Sequence, residues 1–180
     1  MSAGVLSLAS TFAAPRTVDA RGFKQAMRSF ADAVAILACE DGEQGCCGLT
    51  ATAVCSFSAE PPSLLACINQ KSTLATLLRE GSVFSVNLPA ADQEHVARAF
   101  GGLTVARGAA RFAAGSWVRG DHGAPLLAGA RVIFECAVGE IIPRASHLIV
   151  IGLVLSVRLD RAGRAPLLHA EGRFATGGLA

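Results

Sequence analysis

The sequence predicts a mainly β protein, an antiparallel barrel with a few peripheral helices. Runs of alternating or continuous apolar residues recur at the length of strands, and turn residues separate several of them at hairpin spacing. Only three short segments have helical periodicity. A chain of 180 residues without internal repeats is most simply one domain. We therefore assign residues 1–20 to a flexible leader and residues 21–180 to the domain.

Seven strands follow from this pattern. They are predicted at residues 33–39, 49–58, 63–68, 83–88, 131–142, 147–159 and 166–169. Three helices are predicted at residues 21–31, 73–78 and 92–100. Asp19 and either Ser72 or Thr73 are N-cap candidates, because short oxygen-bearing side chains accept hydrogen bonds from a helix's first turn. Gly81 and Gly101 end the second and third helix.

The composition indicates which kinds of partner the protein has. Hydrophobic residues make up 52% of the chain and charged residues only 17%, which leaves little polar area to cover a monomer. A buried homodimer interface is therefore expected. The net charge of +2 is too small to indicate nucleic acid or an anionic membrane as a partner. No apolar run reaches the roughly 18 residues of a spanning helix, so no membrane partner is predicted.

The cysteines indicate a reducing compartment. Four of the six occupy apolar, strand-like runs, where a thiol behaves as a small hydrophobic group: Cys39, Cys55, Cys67 and Cys136. Cys46 and Cys47 are adjacent, and the chain has no Cys-x-x-Cys pair and no two histidines at the spacing of metal ligands. We therefore predict reduced thiols, a cytoplasmic location and no metal site.

The segment from residue 45 to residue 69 is the most informative part of the chain. If residues 49–58 are extended, hydroxyl side chains alternate with small apolar ones and occupy one face of the strand. The hydroxyl face comprises Thr50, Thr52, Ser56 and Ser58, and the apolar face comprises Ala51, Ala53, Cys55 and Phe57. Small residues beside hydroxyls suit a planar heteroaromatic cofactor. Periodicity alone, however, favours a plain solvated strand.

The order of these residues, continued through Pro61-Pro62 to Cys67-Ile68-Asn69, closely resembles the short-chain flavin reductases. These are the reductase components of two-component flavin-dependent monooxygenases, such as 4-hydroxyphenylacetate monooxygenase. The resemblance extends over roughly residues 23–174. It implies the FMN-binding split barrel, a homodimer, and a flavin site near the subunit interface.

The resemblance also implies which residues bind the flavin. Thr50, Ala51, Thr52 and Ala53 lie along the flavin ring, and Cys55 and Ser56 continue toward the ribityl chain. Asn69, Lys71, Ser72 and Thr73 correspond to the phosphate site. That segment joins a strand to a helix N-terminus, where N–H donors and a lysine favour an anion, although Ser72 as a mere helix cap is the plainer interpretation without the resemblance. Gly101 matches a helix end near the flavin in relatives.

A second group of residues corresponds to the nicotinamide side of the site. His147 occupies the place of a family histidine that lies near the nicotinamide, so we expect it to bind and orient this ring during hydride transfer. Arg173 and Phe174 resemble a closing segment that covers the flavin or binds nicotinamide phosphate. Taken alone, His147 is best explained as a structural histidine, and Arg173 is explained equally well as a surface arginine.

The predicted function is that of an NAD(P)H:flavin oxidoreductase. It would pass hydride from NADH or NADPH to FMN or FAD and supply reduced flavin to a partner monooxygenase. Two alternatives share the fold: an oxidase of the pyridoxamine-phosphate-oxidase type, and a non-catalytic flavin-binding electron carrier or sensor. The sequence does not distinguish FMN from FAD or NADH from NADPH.

Overall fold

The computed structural model describes residues 17–42 and 45–177. Its three α-helices are α1 (Ala20–Met27), α2 (Thr73–Leu77) and α3 (Glu94–Phe100), with 3₁₀ turns at Ala91–Gln93 and Gly108–Ala114. Asp19 caps α1, where its Oδ1 accepts from the Gly22 N–H at 2.7 Å, and Ser72 caps α2, so both cap predictions are confirmed. The predicted leader falls mostly outside the described residues and stays a prediction.

Twelve strands are described, and together they make the protein mainly β, as predicted. They are β1 (Asp32–Ala33), β2 (Ala35–Asp41), β3 (Gly45–Ala51), β4 (Val54–Ala59), β5 (Pro62–Asn69), β6 (Val83–Leu88), β7 (Trp117–Arg119), β8 (Pro125–Leu127), β9 (Val132–Arg144), β10 (His147–Leu159), β11 (Leu167–Ala170) and β12 (Arg173–Thr176).

Seven of these strands form one antiparallel sheet in the order β3-β2-β6-β9-β10-β5-β4. Its two edge strands, β3 and β4, are consecutive in the chain and joined only by Thr52 and Ala53. Three Cα–Cα steps span at most about 11 Å, so the sheet must curve until its edges meet at this point. The result is a rolled sheet that is split between β3 and β4.

The prediction of a single strand over residues 49–58 is wrong. The chain bends at Thr52–Ala53, where the Val54 N–H donates to the Thr52 carbonyl at 2.9 Å. The Cys67 N–H donates to the Ala53 carbonyl, also at 2.9 Å, and so binds the bend to β5. Thr50 and Ser56 thus lie on opposite edges of the sheet. Alternation of small polar and apolar residues continues through the bend, so the pattern contains no signal of it.

Residues of β2 alternate between two cores. Leu37 packs inside the rolled sheet with Phe84 and Ile68. Ile36 faces the other way, toward a second core of α3, the 3₁₀ turn at Gly108–Ala114 and β8. Phe100 of α3 is buried there, with ring centroids 4.9 Å from Phe112 and 5.3 Å from Trp117. Val96 of α3 is buried in the same core.

Apolar side chains remain exposed on β10. Every second residue of its later half faces outward, with 39–67% of each side chain accessible: Leu153, Leu155, Val157 and Leu159. We refer to these four residues as the β10 stripe. Within residues 17–42 and 45–177, no helix is long and apolar enough to cross a membrane.

Candidate active site

Three adjoining clefts follow β3 to the split in the sheet. A central cleft of about 270 Å³ is lined by Leu49, Thr50, Ala51, Thr52, Ala53, Cys67, Asn69 and His147. A basic cleft of about 350 Å³ shares Leu49 with it. An outer cleft of about 230 Å³ shares Thr50, Ala51 and Thr52 with it. Because β3 is an edge strand, its backbone groups border these clefts, and they form one continuous site.

The central cleft lies where β3, β5 and β10 converge. His147 opens β10 directly opposite Asn69, the last residue of β5. The turn before it is held by Gln70, whose Nε2 donates to the His147 carbonyl at 3.0 Å. Ser146 Oγ lies 2.9 Å from His147 Nδ1, which orients the ring. The exposed imidazole therefore lies at the rim of a wall of small residues, with the His147 backbone held by Gln70 and its ring contacted by Ser146.

The turn before His147 departs from the usual chemistry of a tight hairpin. Arg144 pairs with His147 across two loop residues, Ala145 and Ser146. Ala145 has a φ of +47°, a left-handed conformation that glycine adopts without steric cost and that alanine adopts at roughly 1–2 kcal/mol. The chain thus keeps the geometry of a glycine turn with an alanine, and the interstrand pairing places His147 at the cleft.

The basic cleft contains three cations. It is lined by Lys71, Ser72, Thr73 and Leu74 from the start of α2, by Cys47, Gly48 and Leu49 of β3, and by Arg107, Gly108 and Arg111. Arg111 is held in place because its Nη1 donates to the carbonyls of Gly48, at 3.4 Å, and Phe100, at 3.3 Å. Among these described lining residues there is no carboxylate, so the cleft suits a phosphate group.

Asn69 and Ser72 shape the loop of the basic cleft. Asn69 Oδ1 accepts from the Lys71 N–H at 2.9 Å, and Ser72 Oγ donates to the Asn69 carbonyl at 2.8 Å and accepts from the Ala75 N–H. Since α2 has only five residues, its dipole is small. The positive potential of this cleft therefore comes from the lysine and the two arginines.

The outer cleft is closed by the C-terminal hairpin. Besides the shared β3 residues, it is lined by Gly101, Leu103, His169 and Phe174. The rings of His169 and Phe174 meet edge to face, with centroids 5.7 Å apart, because the two residues pair directly across β11 and β12. Thr50 binds this side to α3, since its Oγ1 donates to the Ala97 carbonyl at 2.8 Å.

Most of the predicted site residues come together in these clefts. Those lining at least one of them are Thr50, Ala51, Thr52, Ala53, Asn69, Lys71, Ser72, Thr73, Gly101, His147 and Phe174. Three do not line any of them: Cys55 and Ser56, which are exposed on β4 beyond the bend, and Arg173, which is exposed on β12. The roles assigned to these three residues stay predictions.

Sequence reasoning missed three basic lining residues. Arg107 and Arg111 lie in a stretch without strand or helix periodicity, far from Lys71 in the chain, so only the fold brings the three cations together. The spacing of four residues between the two arginines is the single local sign that they act together. His169 also lines the outer cleft, although no role in the site was predicted for it.

The comparisons with known proteins agree with this geometry. Residues 27–178 match the flavin reductase-like domain family. The FMN reductase (NADH) RutF 1 of Methylorubrum extorquens strain PA1 is 40% identical over 167 residues, which cover 93% of this chain and 81% of the relative. The chain therefore belongs to the flavin reductase-like family, and the resemblance found in its sequence is confirmed.

Two solved structures share the fold. The NADH:FAD oxidoreductase SgcE6 of Streptomyces globisporus C-1027, in complex with NAD and FAD fragments, superposes with a TM-score of 0.78 at 28% identity, over 92% of this chain and 98% of that one. The styrene monooxygenase flavin reductase SMOB of Pseudomonas putida S12 gives a TM-score of 0.76 at 26% identity, over 88% and 99% of the two chains. Both are similar to this protein along nearly their whole length.

Proposed function

We propose that the protein is an NAD(P)H:flavin oxidoreductase. The observation that carries this proposal is the continuous site along β3, which joins a cation-lined cleft to a wall of small residues ending at His147. The basic cleft fits the phosphate of FMN or FAD, and the central cleft fits a flat ring. Flavin, when bound, supplies the hydride acceptor. Family membership and the NADH-dependent flavin reductases among the relatives support the same activity.

The residues of this chain would contribute binding and alignment. Lys71, Arg107 and Arg111 would hold the phosphate by charge-assisted hydrogen bonds. Thr50 to Ala53 would lie along the ring, with edge-strand N–H and C=O groups toward its polar rim. Hydride transfer requires the two reacting rings to be aligned at roughly 3–3.5 Å, so the main task of the protein is to hold the nicotinamide, from NADH or NADPH, against the flavin.

His147 would bind and orient the nicotinamide. Replacing it with alanine is expected to raise the KM for NADH, or to slow flavin reduction, by roughly tenfold, an effect equivalent to losing one hydrogen bond in the reacting complex. The Kd for FMN should stay within about twofold, because the basic cleft is intact. Stopped-flow reduction and FMN titration measure the two effects separately. His95→Ala on α3, outside the three clefts, is the matched control, and wild-type kinetics for His147→Ala would contradict the assignment.

The protein would act as a homodimer that uses the β10 stripe. Four exposed aliphatic side chains on one strand face form a patch that is stabilised when a second copy buries it. We expect Leu155→Lys to convert a dimer to a monomer, because it places an unpaired charge in the interface. Sedimentation velocity measures the change, with Val105→Lys as control at a residue that is 96% exposed. A monomeric wild type, or a Leu155→Lys variant that remains dimeric, would refute this interface.

We also propose that the reduced flavin serves a separate monooxygenase in the cytoplasm. A relative of the same fold is the flavin reductase of styrene monooxygenase, which supports a two-component role. The six cysteines form no disulfide in the described structure. Such thiols fit a reducing compartment.

The deciding experiment is oxidation of NADH and NADPH by the purified protein with FMN, with FAD and without added flavin. Turnover that requires added flavin would establish a reductase that releases its product. Turnover without added flavin would indicate a tightly bound group. Flavin binding without nicotinamide oxidation would refute the reductase and favour the electron carrier, whereas oxidation of pyridoxamine phosphate would favour the oxidase.

A further inference from the structure

A fourth cavity, which the proposed reaction does not use, lies next to the basic cleft. Its volume is about 370 Å³, and it is lined by Glu40, Cys46, Ala109, Phe112, Trp117, Val118, Arg119 and Pro125. The wall is largely aromatic and aliphatic. Burial and the nearby carboxylate of Glu40 raise the pKa of the Cys46 thiol, so this side chain stays uncharged at neutral pH. We refer to this space as the aromatic cavity.

The aromatic cavity has few polar groups, and two of them pair with each other at its rim. Arg119 Nη1 lies 3.1 Å from Glu40 Oε2 at the rim, which places a hydrogen-bond acceptor beside a donor. The Trp117 indole N–H is buried and has no hydrogen-bond partner within the described residues. Flat apolar walls with a few convergent polar groups are typical of sites for heteroaromatic ligands.

The aromatic cavity and the basic cleft are lined by neighbouring residues of the same segments. Gly108 lines the basic cleft and Ala109 lines the aromatic cavity, and consecutive Cα atoms are only about 3.8 Å apart. Cys46 and Cys47 are consecutive in β3 and point to opposite faces, so the two spaces lie on either side of this edge strand. Gly108 and Ala109 are small and exposed. A diphosphate held by the cations of the basic cleft can therefore extend over this segment.

We propose that the aromatic cavity binds the adenine of FAD while the basic cleft holds its diphosphate. This inference rests on the proposed flavin reductase function. It predicts that the protein binds FAD more tightly than FMN. Adenine carries an exocyclic amino donor beside ring nitrogen acceptors, which complements the carboxylate of Glu40 and the guanidinium of Arg119. The rings of Phe112 and Trp117 provide the apolar surface on which such a base packs.

The test is to fill the cavity from its rim. Ala109→Trp is expected to raise the Kd for FAD by about tenfold, and to leave the Kd for FMN within about twofold, because FMN has no adenylate half. Ala113→Trp is the matched control, since Ala113 is exposed on the same 3₁₀ turn and outside the cavity. Both affinities are measured by flavin fluorescence titration, and circular dichroism verifies folding.

A second variant tests the rim without adding bulk. Arg119→Ala should weaken FAD binding severalfold and leave FMN binding unchanged. The inference is overturned if the wild type binds FMN and FAD equally, or if Ala109→Trp and Arg119→Ala alter the two affinities in parallel. A wild type that binds neither flavin would instead refute the proposed reductase function, so the two failures are distinguishable.

Discussion

Lys71→Glu should raise the Kd for FMN by about tenfold or more. The substitution removes one of three cations from the basic cleft and places a carboxylate near the expected phosphate. Lys71 is exposed, so water screens part of the effect, and about 1.4 kcal/mol, or one factor of ten, is the expected scale. Isothermal titration with FMN measures it. Lys24→Glu on α1, outside the three clefts, is the charge-matched control.

Riboflavin makes this test specific. It carries the same ring as FMN and lacks the phosphate, so its affinity for Lys71→Glu should stay within about twofold of the wild-type value. Equal losses for FMN and riboflavin would mean that the variant disturbs the ring site or the fold. An unchanged Kd for FMN would place the phosphate elsewhere.

Phe100→Ala should lower the free energy of unfolding by about 3–5 kcal/mol, the usual cost of deleting a fully buried aromatic ring. Phe100 is 2% exposed and packs on Phe112 and Trp117. A Cβ built on Gly48 would lie 2.8 Å from Phe100 Cε1, so the phenyl ring directly supports β3. Urea denaturation measures the loss, and flavin affinity should fall with it because β3 borders all three clefts.

Val105→Ala is the control for this prediction. Val105 is 96% exposed, and its truncation should change stability by no more than about 0.5 kcal/mol. A loss below about 1 kcal/mol for Phe100→Ala would mean that the second core closes around the deleted ring, and the support assigned to β3 would be wrong.

Much of the fold follows from local pattern. The two long strands β9 and β10 were predicted within two residues at each end, because continuous β-branched and apolar runs identify buried strands. The helix ends at Ser72 and Gly101 follow from capping chemistry. The environment of Glu135, in contrast, does not follow from local pattern. It lies inside a correctly predicted strand, yet it is buried and accepts from the Asp121 and His122 N–H groups and from Ser156 Oγ.

The candidate site was predictable only in part. The residues from Thr50 to Ala53 and the residues around Lys71 form local motifs, and both line the clefts. Cys55 and Ser56 lie on β4 beyond the bend at Thr52–Ala53, and their role in the site stays a prediction. Arg107 and Arg111 join Lys71 through tertiary packing across β3. No local pattern records a contact of that kind.

The split between β3 and β4 has a consequence for how this family can diverge. In the described residues, β3 forms a strand ladder with β2 alone, so the main-chain groups on its other edge can serve a ligand. Every residue except proline offers the same backbone N–H and C=O groups, so these contacts do not depend on the side chain, provided that the side chain fits the space. Substitutions along this edge can therefore change the side chains of β3 while the N–H and C=O groups that the edge offers to a ligand stay the same.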